Sequence, residues 1–208
     1  AVIIEPLQSV VGVKMAEESY YTGLRDWCDR NGVVLIFDEV QTGNGRTGKW
    51  FVGEHWGMEP DLVTTAKGLG GGYPVGAVLA NEKIAATVEP GDQATTFGGG
   101  PMAAAAVAAT YRIIEEEGLV EQVATLSAGV IERLGEYVGR GVEEVRGLGY
   151  LLGVRCQRPA KEIQAALLER SILVGTSGDP QTFRLLPPLT VSASEWDLFF
   201  EALEEIFS

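Results

Sequence analysis

Apolar residues follow a different rhythm in the two parts of this chain, and the change falls near residue 118. The opening run, residues 1–5, reads as a buried strand stopped by Pro6. From about Glu17 to Arg30, Tyr20, Tyr21, Leu24, Trp27 and Cys28 recur at three- and four-residue spacing. That spacing predicts a helix, with Trp27 and both tyrosines in the core. Asn31-Gly32 is a natural helix stop, and the all-apolar Val33–Phe37 follows as a strand. Strand, helix and all-apolar strand in succession predict a parallel sheet covered on both faces. "DLVTTA" (61–66) and "VGAVLA" (75–80) read as further strands.

Pro101 opens an Ala-rich run to Glu117, and proline in the first turn followed by alanines predicts a helix. A second amphipathic helix is predicted from Leu119 to Val138. Beyond it, "VEEVRGLGYLLGVRC" reads as strands with a turn, "KEIQAALLERS" as a short helix, and "ILVGT" and "FRLLP" as short strands. Ser192 and Glu195 have capping-box spacing for a last helix through about Phe207. The pattern predicts an α/β domain over 1–118 and a small α+β domain over 119–208. "AVIIEP" reads as a core strand without its preceding context, so the chain is expected to be a piece of a longer one.

The 208 residues, 46% of them hydrophobic, suffice for an ordinary core. A net charge of -13 argues against broad nucleic-acid binding, which needs a basic footprint. Runs such as "RIIEEEGLVE" read as solvated helix faces. Cys28 and Cys156 without a secretory signal point to a reducing compartment, hence the cytoplasm. One histidine, His55, and no CxxC pair argue against a structural metal site. No apolar run has the length of a membrane span.

The 27 glycines cluster, most visibly around "VVLIFDEVQTGNGRTGKW" (33–50). Asp38 and Glu39 end an apolar strand there, and three readings compete. The segment Gly43–Lys49 nearly fits a phosphate loop, but Trp50 stands where a magnesium-binding hydroxyl is required, and the segment follows the acids themselves and meets a break at Gly57 and Pro60 where a long helix should open. The acids could instead cap a loop or pair with an arginine. The third reading brings in "DLVTTAKGLGGGYP" (61–74), where Lys67 also ends an apolar strand before a glycine run. In open α/β sheets ligands sit beyond the carboxyl ends of the strands. A lysine there can serve as an ion-pair partner or as a Schiff-base amine. Pyridoxal phosphate enzymes join such a lysine to an Asp at the pyridine nitrogen.

"LIFDEVQTGNGRTG", "PDLVTTAKGLGGGYPVGA", "TTFGGGP" and "FRLLPPLT" together resemble class III aminotransferases, which are fold-type I pyridoxal phosphate enzymes, and most of all their acetylornithine branch. The motifs span nearly all of this chain but only about the C-terminal half of a family member. The resemblance implies part of a mostly parallel cofactor-binding large domain followed by a small C-terminal domain. It implies that Lys67 holds the cofactor and shuttles the substrate proton, and that Asp38 binds the pyridine nitrogen. Val40 would pack on the ring and Gln41 reach its hydroxyl, with Glu39 inside the same cofactor-binding segment. Thr96 would donate to the cofactor phosphate of a partner subunit, making a homodimer, and Thr95 would lie near that partner's substrate. Arg184 would bind a substrate carboxylate, and Glu5 would lie near the site.

The same resemblance implies a ping-pong reaction between a small-molecule amino donor and a 2-oxo acid. The favoured pair is the terminal amine of N-acetylornithine and 2-oxoglutarate, as in arginine or lysine synthesis. Ornithine, 4-aminobutyrate or diaminobutyrate are the alternative donors, and an inactive half or a dimerisation module is the non-enzyme alternative. The chain departs from the family at "QSVVG" (8–12), where Val10 replaces a glutamate that pairs with the arginine matching Arg184 in ornithine- and 4-aminobutyrate-type enzymes. Gln93-Ala94 and Gly100 are further departures. The family's Gly-rich phosphate loop, ring-stacking aromatic and N-terminal substrate arginine lie in the half that this chain does not match.

Overall fold

The computed structural model describes residues 1–93 and 95–208; Ala94, one of the departures named above, lies outside them. In chain order the elements begin with β1 (Val2–Ile4), β2 (Leu7–Gln8), β3 (Lys14–Met15), α1 (Glu18–Asn31) and β4 (Leu35–Asp38). A 3-10 helix (Val52–Trp56), β5 (Leu62–Thr65), a second 3-10 helix (Lys67–Gly70), β6 (Ala77–Ala80), α2 (Glu82–Ala85) and α3 (Pro101–Glu116) follow. The remainder comprises α4 (Leu119–Gly135), β7 (Val142–Leu148), β8 (Leu151–Cys156), α5 (Ala160–Glu169), β9 (Gly175–Thr176), β10 (Thr182–Leu185) and α6 (Ala193–Phe207). Residues Ala1–Pro6, Ala16–Gly45 and Lys49–Gly118 form one compact unit; Leu7–Met15, Arg46–Gly48 and Leu119–Ser208 form the other.

The first unit is built on a four-stranded sheet of order β1-β4-β5-β6. β1, β4 and β5 run parallel, and β6 returns antiparallel to β5. Helix α1 ends at Gly32, whose left-handed backbone (φ 62) returns its N–H to the last carbonyls of the helix. Tyr21 and Cys28 of α1 pack with Leu35, Phe37 and Met58, and Leu24 lies against them. Tyr20 and Trp27, expected in the core, are instead 53% and 47% exposed. Each lies one residue, or about 100° of helix rotation, from the apolar stripe. The sheet also departs from expectation. Leu35 and Phe37 are sealed under α1, but Ile3 and Val78, on the face shared with Ile36 and Asp38, are exposed. That face is open at its edge strands, while Ile36 and Asp38 between them are partly buried.

The second unit carries an antiparallel sheet of order β7-β8-β10-β9. Its core gathers Leu134 from α4, Leu152 and Val154 from β8, Ile163 and Leu167 from α5, Phe183 from β10 and Leu203 from α6. The predicted capping box is present: the Ser192 hydroxyl accepts from the Glu195 N–H, and the Glu195 carboxylate accepts from the Ser192 N–H. The β2–β3 hairpin was not anticipated. It buries Leu7 and Val13 against Leu151. "GRTG", which resembled a phosphate loop, is packed against protein instead. The Arg46 carbonyl accepts from the Tyr150 N–H at 2.9 Å. A Cβ on Gly149, itself left-handed at φ 57, would fall 2.4 Å from the Thr47 carbonyl carbon. No helix among the described residues is long and apolar enough to cross a membrane.

Candidate active site

The parallel register of β4 and β5 sets Asp38 beside Thr64, three residues before Lys67. Both side chains therefore leave the carboxyl ends of adjacent parallel strands, where open α/β sheets bind ligands. The Asp38 carboxylate is half-buried, and its Oδ1 accepts from the Val40 N–H at 3.1 Å. That bond turns the chain after the strand and fixes the carboxylate. Val40 and Gln41 follow it, both partly exposed. Lys67 is exposed and opens the second 3-10 helix with a left-handed backbone, φ 51. For a side chain other than glycine this conformation costs ~1–2 kcal/mol, so neighbouring contacts must hold it.

The two residues before Lys67 are bonded by Asn44, which no motif singled out. Its amide nitrogen donates to Thr65 Oγ1 at 3.0 Å and to the Ala66 carbonyl at 3.4 Å. Its Oδ1 accepts from the Tyr111 hydroxyl at 2.9 Å. The Tyr111 ring stacks on Trp50 with centroids 5.0 Å apart. The Ala66 carbonyl also accepts from the Leu69 N–H at 3.0 Å, closing the turn that carries Lys67.

Glu39 takes the other side of the strand end. By the strand period it shares the face of Leu35 and Phe37, and it is fully buried. Its Oε2 accepts from the Val52 N–H at 2.6 Å and the Thr42 hydroxyl at 3.1 Å. Burial pushes its pKa up to about 7, against the pull of the Val52 N–H, the Thr42 hydroxyl and the Gly53 N–H. The carboxylate named with the cofactor-contacting segment is thus bonded within the unit, at the start of the first 3-10 helix. Glu5 directly follows β1 and is exposed. His55 lies in that same 3-10 helix.

Thr96 and Thr95 precede α3, and both are exposed. Thr95 Oγ1 accepts from the Gly98 N–H at 3.2 Å. Thr96 lines a cleft of about 640 Å3 with Tyr73, Gly76, Gly98 and Met102. Arg184 belongs to the second unit, on β10. Its Nε donates to the Thr176 carbonyl at 2.8 Å and one terminal nitrogen to Ser9 Oγ at 2.9 Å. Both partners are neutral, so these bonds orient the guanidinium without cancelling its charge. Ser9 is fully buried and was also passed over; its only signal is its place in the divergent "QSVVG". Arg184 borders a largely apolar cleft of about 590 Å3 with Leu173, Leu186 and Pro187.

The model of the aminotransferase class-III family matches residues 1–207. The chain belongs to this family. An acetylornithine aminotransferase of Methanocaldococcus jannaschii is 41% identical over 210 residues, which is 100% of this chain and 52% of that protein. Among solved structures, the acetylornithine aminotransferase of Elizabethkingia anophelis is 30% identical with a TM-score of 0.92, over 99% of this chain and 53% of that one. The ornithine aminotransferase of Toxoplasma gondii, whose structure shows partial occupancy of PLP at its active site, is 26% identical with a TM-score of 0.89, over 99% of this chain and 50% of that one. This class-III chain therefore spans about half the length of the relatives it matches.

Proposed function

We propose that the protein carrying this chain is a pyridoxal phosphate-dependent aminotransferase. In this reading it transfers the terminal amine of N-acetylornithine, or of a related ω-amino compound, to 2-oxoglutarate. The supporting observation is one carboxylate and one lysine at the carboxyl ends of adjacent parallel strands. These residues suit the cofactor. A fixed, half-buried carboxylate matches a protonated ring nitrogen, and an exposed amine matches an aldehyde. Gly70 lets the chain turn tightly behind the lysine, since a Cβ there would lie 2.7 Å from Val75 Cγ1.

Pyridoxal phosphate, when bound, supplies an electron sink. Lys67 would hold its aldehyde end and carry the proton that leaves the donor's amine-bearing carbon. Asp38 would hold the proton on the ring nitrogen, its carboxylate kept aimed by the Val40 N–H. Val40 would pack on the ring and Gln41 would reach its hydroxyl. Arg184, oriented by Ser9 and Thr176, receives a substrate carboxylate through its planar fork. Thr96 donates to the cofactor phosphate of a neighbouring subunit and Thr95 lies near its substrate, so the working form is a homodimer. Residues 1–118 then serve the cofactor and 119–208 act as the small domain. Glu39 is a support for the Asp38 segment, and Glu5 borders the site. The cytoplasm suits this chemistry and the two unpaired cysteines.

The test is a panel of ω-amines with 2-oxoglutarate, run on the protein and on Lys67→Ala. N-acetylornithine is expected to be the best donor, and Lys67→Ala to lower turnover by roughly a thousandfold or more. A preference for an α-amine would overturn the donor assignment. Wild-type turnover in Lys67→Ala would overturn the mechanism.

A further inference from the structure

"GNGRTGK" first resembles a phosphate loop and then a mere connector, yet its Asn44 bonds to the strand end that carries Lys67. We propose that Asn44 is a positioning residue for Lys67: an amide clip, locked by Tyr111, that holds the lysine's left-handed backbone in place. The proposal rests on the reading of Lys67 as the cofactor lysine.

The chemistry of the clip is directional. The Ala66 carbonyl can only accept, so the Asn44 NH2 must face it. Its second N–H meets Thr65 Oγ1, and the amide oxygen is left to accept from the Tyr111 hydroxyl. Each bond therefore enforces the same amide orientation. The amide itself is buried, with Asn44 5% and Thr65 2% exposed, and its bond to Thr65 is enclosed while those to Ala66 and Tyr111 are partly so. Hydrogen bonds sealed from water are costly to leave unmade. Asn44 is itself left-handed at φ 60, a conformation that asparagine tolerates better than most residues. One strained residue in the loop after Asp38 thus restrains a second one at the end of the next strand. Strained backbone at a reactive lysine persists only where its surroundings over-determine it. Tyr111, held flat against Trp50, completes that restraint from α3.

The experiment measures how fast pyridoxal phosphate labels each lysine of the cofactor-free protein carrying this chain. The label is trapped with borohydride, and peptides are quantified by mass spectrometry. Lys14, Lys49, Lys83 and Lys161 serve as internal references. Lys67 is expected to label fastest. Asn44→Gly keeps the left-handed backbone but removes the amide, and Asn44→Asp keeps the shape but points an oxygen at the Ala66 carbonyl. Each should slow Lys67 about tenfold relative to Lys49 and Lys83: Asn44→Asp loses both donated bonds, and Asn44→Gly loses these and the Tyr111 bond. Tyr111→Phe, which keeps the ring, should slow it less. A purely stabilising Asn44 would lower the melting temperature and leave those ratios untouched well below it, and that result would overturn the clip. Parent protein in which Lys67 labels no faster than the other lysines would instead overturn the lysine assignment, and the clip's purpose with it.

Discussion

Glu39 is a buried carboxylate in an acidic protein, and its burial gives it a measurable signature. Its pKa is raised from 4.5 to about 7. The folded state therefore holds a proton that the unfolded state releases between these values. Stability from this group is fully present below the unfolded pKa and is lost as pH rises through about 7. The full difference is about 3 kcal/mol, an upper bound set by the size of the shift. Gln at this position can still accept from Val52 and Thr42 while carrying no charge. Glu39→Gln is therefore expected to flatten the fall in stability between pH 5 and 8. Denaturant midpoints across that range decide it; an unchanged slope in the variant would place the titration elsewhere. Parity accounts for this burial only once the structure shows which face is covered, because Leu35, Phe37 and Glu39 share that face. Ser9 and Asn44 were not legible in this way. Their partners lie 175 residues away at Arg184, and 21 and 67 residues away at Thr65 and Tyr111. No local pattern encodes such distances.

The long helices and interior strands follow from periodicity, since each has enough residues to repeat a 3.6 or 2.0 spacing. Tyr21, Leu24 and Cys28 mark the buried face of α1, and Ser192 with Glu195 marks the start of α6. The two-residue strands β2 and β3 have no period to read. They are fixed by what they pack against, with Val13 left-handed and fully buried beside Leu151. The β7–β8 turn is constrained similarly. Gly149 has no room for a Cβ beside Thr47 and holds a positive φ. Gly149→Ala combines overpacking of ~1–3 kcal/mol with about 1 kcal/mol of backbone strain. Urea denaturation should show a loss of about 2–4 kcal/mol. A change below 1 kcal/mol would mean that the Arg46–Gly48 segment yields easily at this turn.

At the scale of the molecule, the family was legible because four separated motifs occur in order. Neither the charge nor the composition pointed to it. The cover of the sheet was not legible. An all-apolar strand implies two covered faces, yet Ile3 and Val78 are exposed on the face shared with Asp38. The relatives are about twice as long as this chain, so their activity passes to it only as the proposal above. The central claim is that Lys67 holds the cofactor. Borohydride reduction of the cofactor-loaded protein, followed by peptide mapping, tests it most directly. The account predicts that Lys67 carries most of the pyridoxyl group; a different lysine in that place, or none, would contradict it.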